Sequence, residues 1–281
     1  MERGLAIITG ADGGMGMEET LEVAKAGYHV IMACYSYKKA EPKCNAIIKE
    51  SGNKNVEIMQ IDLSNLSNVA SFADRLIERG EQIDLLMNNA GTMGTGKHYT
   101  VDDLEHTVSV NYVGPYLLTR KLLPLMHRGS RIVNMSSCSY VIGKLSFPEF
   151  FTEGRKGFWQ RILVYANTKK AITLFTLELA ERLKDKGIMV NAADPWIVNT
   201  EIIRMQMFFD PLTDIFFRPF INTPRQGADT AIRLLLDDEC ANRTGTFCRS
   251  GKPVKLSKKM TNHPQKTELW NLTEDIVKTW L

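Results

Sequence analysis

The feature that most constrains the fold of this chain is a regular alternation of short apolar runs with longer segments of helical periodicity. The apolar runs are LAIIT (5–9), YHVIMAC (28–34), VEIMQI (56–61), IDLLMN (83–88), RIVNMS (131–136), IMVNAA (188–193) and GTFC (245–248). The candidate helices lie at 14–26, 38–51, 65–79, 101–127, 157–186 and 224–238. Apolar strands separated by helices indicate a parallel sheet covered on both faces. The sequence therefore predicts one doubly wound α/β domain over residues 1–281, with about seven strands.

Composition and charge argue against several classes of protein. A hydrophobic content of 44% is ample for a large core, and a formal net charge of +3 without a basic, aromatic-interleaved stripe argues against nucleic-acid binding. The 5 cysteines lack a C-x-x-C pair and the 5 histidines lack ligand spacing, which predicts a reducing compartment and no metal site. The first apolar run leaves no room for a signal peptide, and no run approaches the roughly 18 residues of a membrane span. We therefore expect a cytoplasmic protein without a transmembrane segment.

Two aromatic segments interrupt the alternation. They are GKLSFPEFFTEGRKGFWQR (143–161) and IIRMQMFFDPLTDIFFRPF (202–220). Loops of this length are more often functional than connective. We expect a small substrate lobe or lid over about 196–225. Alternatively, residues 202–220 pack as an ordinary lobe, face a partner, or lie at a membrane surface.

The first predicted strand runs into a glycine-rich loop, TGADGGMG (9–16). A loop of this kind between a strand and a helix directs backbone N–H groups and a helix N-terminus at phosphates. The predicted contacts to a dinucleotide in this loop are Gly10, Asp12, Gly14, Met15 and Gly16. The Asp12 carboxylate is unexpected beside a pyrophosphate. Either it faces the phosphates or it anchors the turn by bonding nearby N–H groups.

The segment after the second predicted strand, YSYKK (35–39), lies where dinucleotide folds read the ribose. It has no acid that would favour NAD. Tyr35 and Ser36 are predicted cofactor contacts, and Lys38 and Lys39 could bind a 2′-phosphate. NADP(H) is thus favoured over NAD(H), although the lysines could simply be the solvated start of a helix.

Two later strand ends supply the remaining expected contacts to the nucleotide. Asp62 and Leu63 follow the third predicted strand, where Asp62 could hold the adenine amino group or cap the next helix. The motif NNAG (88–91) closes the fourth and provides Asn89, Ala90 and Gly91. Its two asparagines could contact the cofactor or fix the neighbouring strand ends.

Four polar residues are predicted to converge at the carboxyl edge of the sheet. Tyr165 and Lys169 are four residues apart on one helix and so share a face. Ser137 lies just past the strand RIVNMS, and Asn111 lies on the helix before it. A free phenol near pKa 10 is a poor base at neutral pH, so a neighbouring cation is needed. The four residues form a coherent proton-transfer set.

These motifs, in this order and spacing, resemble the classical short-chain dehydrogenase/reductase family. The resemblance covers nearly the whole chain: TGADGGMG, Asp62-Leu63, NNAG, VNYVG, NMSS, YANTK and PWIVNT. Within the family the chain is most similar to the retinol-dehydrogenase-like group, through YANTKKAITLFTLELAERLKDKGIMVN (165–191) and FINTPRQGADTAI (220–232).

The resemblance implies a Rossmann-like fold and an NAD(P)-dependent oxidoreductase. Such an enzyme would interconvert a hydroxyl and a ketone or aldehyde on a hydrophobic steroid-, retinoid- or lipid-like molecule. Tyr165 would be the general acid/base, Lys169 would lower its pKa and hold the nicotinamide ribose, Ser137 would orient the carbonyl, and Asn111 would hold a relay water. The cofactor contacts that the resemblance adds are Tyr165, Lys169, Pro195, Val198 and Thr200. It also implies a possible homodimer or homotetramer.

The sequence departs from the family pattern at three positions. Tyr35 stands where the group usually has arginine, and Gly13 replaces a common serine or basic residue. Trp196 replaces the glycine of the usual Pro-Gly beside the nicotinamide, and it either narrows the substrate pocket or packs beneath the lid. Two other functions stay open: a catalytically silent cofactor-binding sensor or scaffold, and a ketoreductase of acyl thioesters.

Overall fold

A computed structural model describes residues 3–94, 98–154, 157–198 and 222–281. Its strands are β1 (Leu5–Thr9), β2 (His29–Cys34), β3 (Val56–Gln60), β4 (Ile83–Asn88), β5 (Met126–Met135), β6 (Met189–Asp194), β7 (Thr246–Arg249) and β8 (Lys252–Pro253). They form one 8-stranded sheet, within the described residues, in the order β3-β2-β1-β4-β5-β6-β7-β8. All pairs are parallel except β7 with β8. The predicted doubly wound α/β fold is confirmed, and the chain reverses its winding between β1 and β4, where such sheets bind ligands.

Helices cover both faces of the sheet. They are α1 (Gly14–Lys25), α2 (Tyr37–Ser51), α3 (Leu66–Arg79), α4 (His106–Val108), α5 (Gly114–Leu122), α6 (Glu149–Thr152), α7 (Phe158–Arg182), α8 (Pro224–Leu236), α9 (Lys258–Thr261) and α10 (Gln265–Val277). Alternate residues of each strand serve different faces. In β1, Leu5 and Ile7 join the cluster with α3, α5 and α7, whereas Ala6 and Ile8 join the cluster with α1, α2 and α8.

The region predicted as one long helix at 101–127 is several elements. Glu105 accepts a hydrogen bond from the Val108 N–H (2.8 Å) and so caps α4. A π-helical turn, Ser109–Val113, follows and leads into α5. A 3-10 turn, Leu123–Leu125, then connects to β5, which begins earlier than predicted. The single-helix prediction was wrong because local hydrogen bonding, which hydrophobic periodicity does not reveal, divides the segment.

The C-terminal helix α10 is a further difference, since no helix was predicted there. It packs on α5 and α7 through Trp270, which is buried with its ring centroid 5.1 Å from that of Tyr116 and 5.9 Å from that of Phe175. The Tyr112 hydroxyl bonds Thr273 Oγ1 (2.8 Å), and the Tyr116 hydroxyl donates to Glu274 (2.6 Å). The C-terminal segment thereby covers the outer surface of the helices that flank the site.

Glu19, on the inner face of α1, is fully buried, and neither carboxyl oxygen has a hydrogen-bond partner among the described residues. Burial raises the pKa of Glu19 well above its usual range, so the carboxyl is held in its neutral form. An unfolded glutamate has a pKa of about 4.3. The native state therefore loses stability as pH rises from there toward the folded pKa.

We predict that Glu19→Leu stabilises the protein by about 1–3 kcal/mol at pH 8, because it removes an unsatisfied buried polar group. Urea unfolding should show that the free energy of unfolding of the wild type declines from pH 5 to pH 8. The decline should be weaker in Glu19→Leu. Glu18→Leu, at the more exposed neighbouring position of α1, is the matched control and should not raise the free energy of unfolding. Equal pH slopes for the wild type and Glu19→Leu would contradict this assignment.

Candidate active site

The glycine-rich loop is a tight connection between β1 and α1. Gly10 has a φ of 62°, in the left-handed region that glycine tolerates best. Its N–H donates to the Ala33 carbonyl (2.8 Å), which ties the loop to β2. At Gly16, a Cβ would lie 2.2 Å from the Gly10 carbonyl oxygen. These two positions therefore require glycine for the loop to adopt this shape.

The N-terminus of α1 offers an anion site. The helix is preceded by Gly13, which has no side chain to cap it, and no acidic residue lies in its first turn. The first N–H groups of a helix have no partner within it and lie at the positive end of its dipole. A phosphate is the ligand that this arrangement fits best.

A cleft of about 940 Å³ opens beside this loop. The predicted cofactor contacts that line it are Gly10, Asp12, Gly14, Met15, Gly16, Tyr35, Asp62, Leu63, Asn89, Ala90 and Gly91. Ser36 is not among the lining residues; its hydroxyl instead caps α2 by accepting a hydrogen bond from the Lys39 N–H (3.4 Å). The size, the glycine lining and the uncapped helix fit a dinucleotide.

Lining residues beyond the predicted set include two lysines, a histidine and a valine. They are Lys39, Lys43, His106 and Val110. Sequence reasoning considered Lys39 but missed Lys43, which lies one turn further along α2 and donates through Nζ to the Asp12 carbonyl. The spacing of four residues between the two lysines was the signal that could have identified it.

Asp12 connects the loop to its surroundings. Its carboxylate lies beside the Cys34 thiol at the end of β2, where burial, followed by the charge of Asp12, raises the pKa of Cys34 to about 12. Its carbonyl accepts the bond from Lys43. Asp12 both lines the cleft and interacts with neighbouring elements, which is consistent with a turn-anchoring role.

Asp62 is held in a local turn after β3. Its Oδ1 accepts hydrogen bonds from the N–H (2.9 Å) and the hydroxyl (2.6 Å) of Ser64. The cap of α3 is Asn65, which accepts from the Asn68 N–H (3.1 Å). The capping alternative for Asp62 is thus taken by Asn65, and Asp62 remains on the wall of the cleft.

The asparagines of NNAG fix neighbouring strand ends. The Asn88 side chain donates to Asn134 Oδ1 on β5 (2.8 Å). The Asn89 side chain donates to the carbonyls of Thr9 (3.0 Å) and Gly10 (3.2 Å). These bonds hold the ends of β1, β4 and β5 together under the cleft.

Tyr165 and Lys169 share one face of α7, as predicted. The Lys169 Nζ lies 5.4 Å from the centroid of the Tyr165 ring and donates to the Met135 carbonyl (2.8 Å). Ser137 begins the turn that follows β5 and interacts with the Tyr165 phenol. Gly91 lies near Lys169, since a Cβ on it would be 3.8 Å from Nζ. The nucleotide cleft and the Ser137–Tyr165 pair therefore adjoin.

Asn111 lies in the π-helical turn, a kind of irregularity found often at functional sites. Its Oδ1 accepts from the Thr92 N–H (2.7 Å), and its Nδ2 donates to the Thr92 carbonyl (2.8 Å) and to Thr168 Oγ1 (3.1 Å). Asn111 therefore connects the loop after β4 with α7, next to Lys169.

Burial shifts the pKa values of both Tyr165 and Lys169. Burial, followed by the nearby Cys138, raises the pKa of Tyr165 above its usual value, while the Ser137 interaction opposes the rise. Burial lowers the pKa of Lys169 to about 8, and the charge of Asp194 opposes this shift. At neutral pH the phenol is protonated and the lysine is mostly cationic.

Two of the three late positions predicted to contact the cofactor lie just after β6. The Pro195 carbonyl accepts a hydrogen bond from the Asn222 side chain (3.1 Å), and buried Val198 forms a bridge with Asn222 and packs against Gly227 of α8. Thr200 and residues 202–220 lie outside the described residues, so the predicted lid stays a prediction.

This fold and site belong to a known family. A sequence model of the family described as short chain dehydrogenase matches residues 4–207, and the chain belongs to that family. Human retinol dehydrogenase 12 is 32% identical over 275 residues, which are 97% of this chain and 86% of that protein. Human retinol dehydrogenase 13 is 34% identical over 248 residues, 86% of this chain and 74% of that one. The predicted resemblance is confirmed, and the chain is an NAD(P)-dependent alcohol dehydrogenase or carbonyl reductase.

Solved structures agree with the fold. The crystal structure of a putative uncharacterized protein from Mycobacterium Paratuberculosis superposes with a TM-score of 0.79 at 27% identity, over 99% of this chain and 94% of that one. A blue fluorescent protein from a metagenomic library, in complex with NADPH, superposes with a TM-score of 0.69 at 22% identity, over 88% of this chain and 96% of that one. The second likeness concerns the fold alone. Within the described residues, no helix is long and apolar enough to cross a membrane.

We predict that Gly16→Ala weakens cofactor binding at least about tenfold, since its Cβ would collide with the backbone of Gly10 and displace the loop. Titration of NADPH by its fluorescence measures the loss. Gly14→Ala is the matched control, because a Cβ there meets only Pro224 at an ordinary 3.4 Å. If both variants bind NADPH equally, the loop does not depend on this close approach.

Proposed function

We propose that the protein is an NADP(H)-preferring oxidoreductase that interconverts a hydroxyl and a ketone or aldehyde on a hydrophobic small molecule, with Tyr165 as general acid/base. The observation that carries the proposal is the grouping of Tyr165, Ser137 and Lys169 beside the nucleotide cleft. The intact grouping argues against a catalytically silent sensor.

The chain's own residues would manage the proton while the bound nicotinamide supplies or takes the hydride. Because the Tyr165 phenol is neutral at neutral pH, it can donate its proton to a carbonyl oxygen as reduction proceeds. The Ser137 hydroxyl would orient that oxygen. The cationic Lys169 would stabilise the phenolate that remains and hold the nicotinamide ribose, and Asn111 would hold the water that returns a proton to the site.

The lining of the cleft supports the preference for NADP(H). Two cations, Lys39 and Lys43, lie on its wall together with Tyr35, at the end where the ribose is read. No carboxylate lies among residues 35–40, directly after β2, and the Asp12 carboxylate lies beside Cys34. Two lysines favour a 2′-phosphate over a hydroxyl by charge.

A hydrophobic substrate is supported by the relatives, because retinol dehydrogenases are named for a lipophilic alcohol. The aromatic segment 143–161 does not add to this support. Its Phe150 and Phe151 are buried and pack with Phe147 and Tyr112. The lid, a cytoplasmic location and a homodimeric or homotetrameric state remain predictions.

We predict that Tyr165→Phe lowers kcat for carbonyl reduction by about 10²–10⁴-fold, because the proton donor is lost. NADPH affinity should stay within about twofold, since the phenyl ring keeps its place. Steady-state kinetics and fluorescence titration measure the two quantities. Tyr28→Phe, on the loop before β2, controls for loss of a phenol elsewhere, and wild-type turnover in Tyr165→Phe would overturn the mechanism.

We predict that Lys43→Ala weakens NADPH binding by about tenfold and leaves NADH binding almost unchanged, because only NADPH carries the 2′-phosphate. Lys38→Ala is the matched control: Lys38 lies on α2 but not among the lining residues of the cleft. Dissociation constants for both cofactors should be measured for all three proteins. A parallel loss for NADPH and NADH would show that Lys43 stabilises the loop and does not read the phosphate.

A further inference from the structure

Trp196 has a backbone conformation that a tryptophan rarely adopts. Its φ is 61°, in the left-handed region where a Cβ meets the following carbonyl. It lies two residues beyond β6, at the carboxyl edge of the sheet that bears Ser137. A bulky residue in such a conformation persists only where its surroundings fix it, and such residues cluster at functional sites.

Asp194 and Arg249 supply that fixation. Buried Asp194 accepts hydrogen bonds through Oδ1 from the N–H of Trp196 (2.9 Å) and from the N–H of Cys138 (3.1 Å). Its Oδ2 accepts from Arg249 Nε (2.7 Å), and the Arg249 guanidinium carbon lies 4.4 Å from the centroid of the Trp196 ring. We call Asp194, Trp196 and Arg249 the Asp194 clasp.

The Asp194 clasp joins the turn that carries Trp196 to the turn that carries Ser137. Cys138 directly follows Ser137, so one carboxylate oxygen fixes both the turn that carries Ser137 and the turn that carries Trp196. Arg249 comes from the neighbouring strand β7 and covers one face of the indole. A guanidinium stacked on an indole and paired with a buried carboxylate holds the ring in one orientation.

Packing alone does not account for an indole here. Trp196 is 43% exposed, so it is not a core residue, and glycine would satisfy this backbone conformation without strain. The indole is partly exposed on a strained backbone, and the buried Asp194 carboxylate and the Arg249 guanidinium hold it in place. An effect on the site explains this arrangement better than packing does.

We propose that Trp196 is a specificity-determining residue whose indole forms a rigid wall beside Ser137 and Tyr165 and disfavours substrates branched next to the reacting carbon. Asp194 and Arg249 are positioning residues for that wall. The inference rests on the proposed function, because it takes the carbonyl to bind at Ser137 and Tyr165.

Measuring aldehyde binding in a variant that lacks the proton donor tests the Trp196 wall separately from catalysis. In Tyr165→Phe with NADPH bound, dissociation constants are measured by calorimetry for an unbranched hydrophobic aldehyde and for its isomer with a quaternary carbon next to the carbonyl. We expect the unbranched isomer to bind more tightly. Adding Trp196→Gly should improve binding of the branched isomer at least about tenfold and change that of the other by less than about threefold. Adding Trp196→Tyr, whose ring can still stack on Arg249, should preserve the preference.

The positioning residues have their own expected result. Arg249→Met and Asp194→Asn, each added to Tyr165→Phe, should reduce the preference for the unbranched isomer to a value between those of Tyr165→Phe alone and the Trp196→Gly double variant. Equal changes for both isomers in Trp196→Gly, no change, or no binding of either isomer would overturn the inference. A wild-type enzyme that turns over neither compound would overturn the proposed function and leave the ratio of binding constants as a separate result.

Stability gives a second test of the left-handed assignment. Trp196→Gly should have a Tm about 2–4 °C above that of Trp196→Ala, because only glycine avoids the steric cost of this conformation. Equal Tm values for the two variants would contradict a left-handed residue at this position.

Discussion

The site depends first on the hydrogen bond between the buried Lys169 ammonium and the Met135 carbonyl. A buried cation is costly unless it is paired, so this bond strongly favours one register of α7 against the end of β5. Tyr165 lies one turn before Lys169, and Ser137 lies two residues after Met135. The same bond therefore sets the position of the phenol relative to the serine hydroxyl.

Further polar contacts attach α7 to the end of β5. The Ser136 hydroxyl bonds the Thr173 hydroxyl (2.7 Å), and the Asn134 side chain donates to Thr176 Oγ1 (2.9 Å). Each contact is buried, where hydrogen bonds are strong and costly to break. Asn134 also accepts from Asn88, which extends the network to β4 and the floor of the cleft. The cleft and the residues proposed to transfer the proton are thus parts of one hydrogen-bonded edge.

Local pattern predicted much of this arrangement. The structure has β1 and β4 with the predicted bounds, because each is a short, mostly apolar run between clear turns. The shared face of Tyr165 and Lys169 follows from helical spacing alone. Helical spacing does not predict, however, that Thr173 and Thr176 of α7 face inward, because their inward position depends on partners at β5.

What sequence could not show depends on contacts between distant segments. Asp194 and Arg249 are 55 residues apart, and neither belongs to a motif that would suggest their pairing. Lys43 reaches the glycine loop only because α2 passes beside it. The π-helical turn at Asn111 and the packing of α10 likewise arise from tertiary context. Motif spacing predicts which residues reach the carboxyl edge, but not which neighbours orient them there.

The central claim is that the chain transfers hydride between NADPH and a hydrophobic carbonyl compound at the Ser137–Tyr165 edge. The most direct test incubates the wild-type protein with NADPH deuterated at C4 on its transferable face and follows the aldehyde by mass spectrometry. The account predicts that one deuterium appears on the former carbonyl carbon for each NADPH oxidised. Tight NADPH binding with no deuterium in any product, across unbranched and branched hydrophobic aldehydes and ketones, would contradict it.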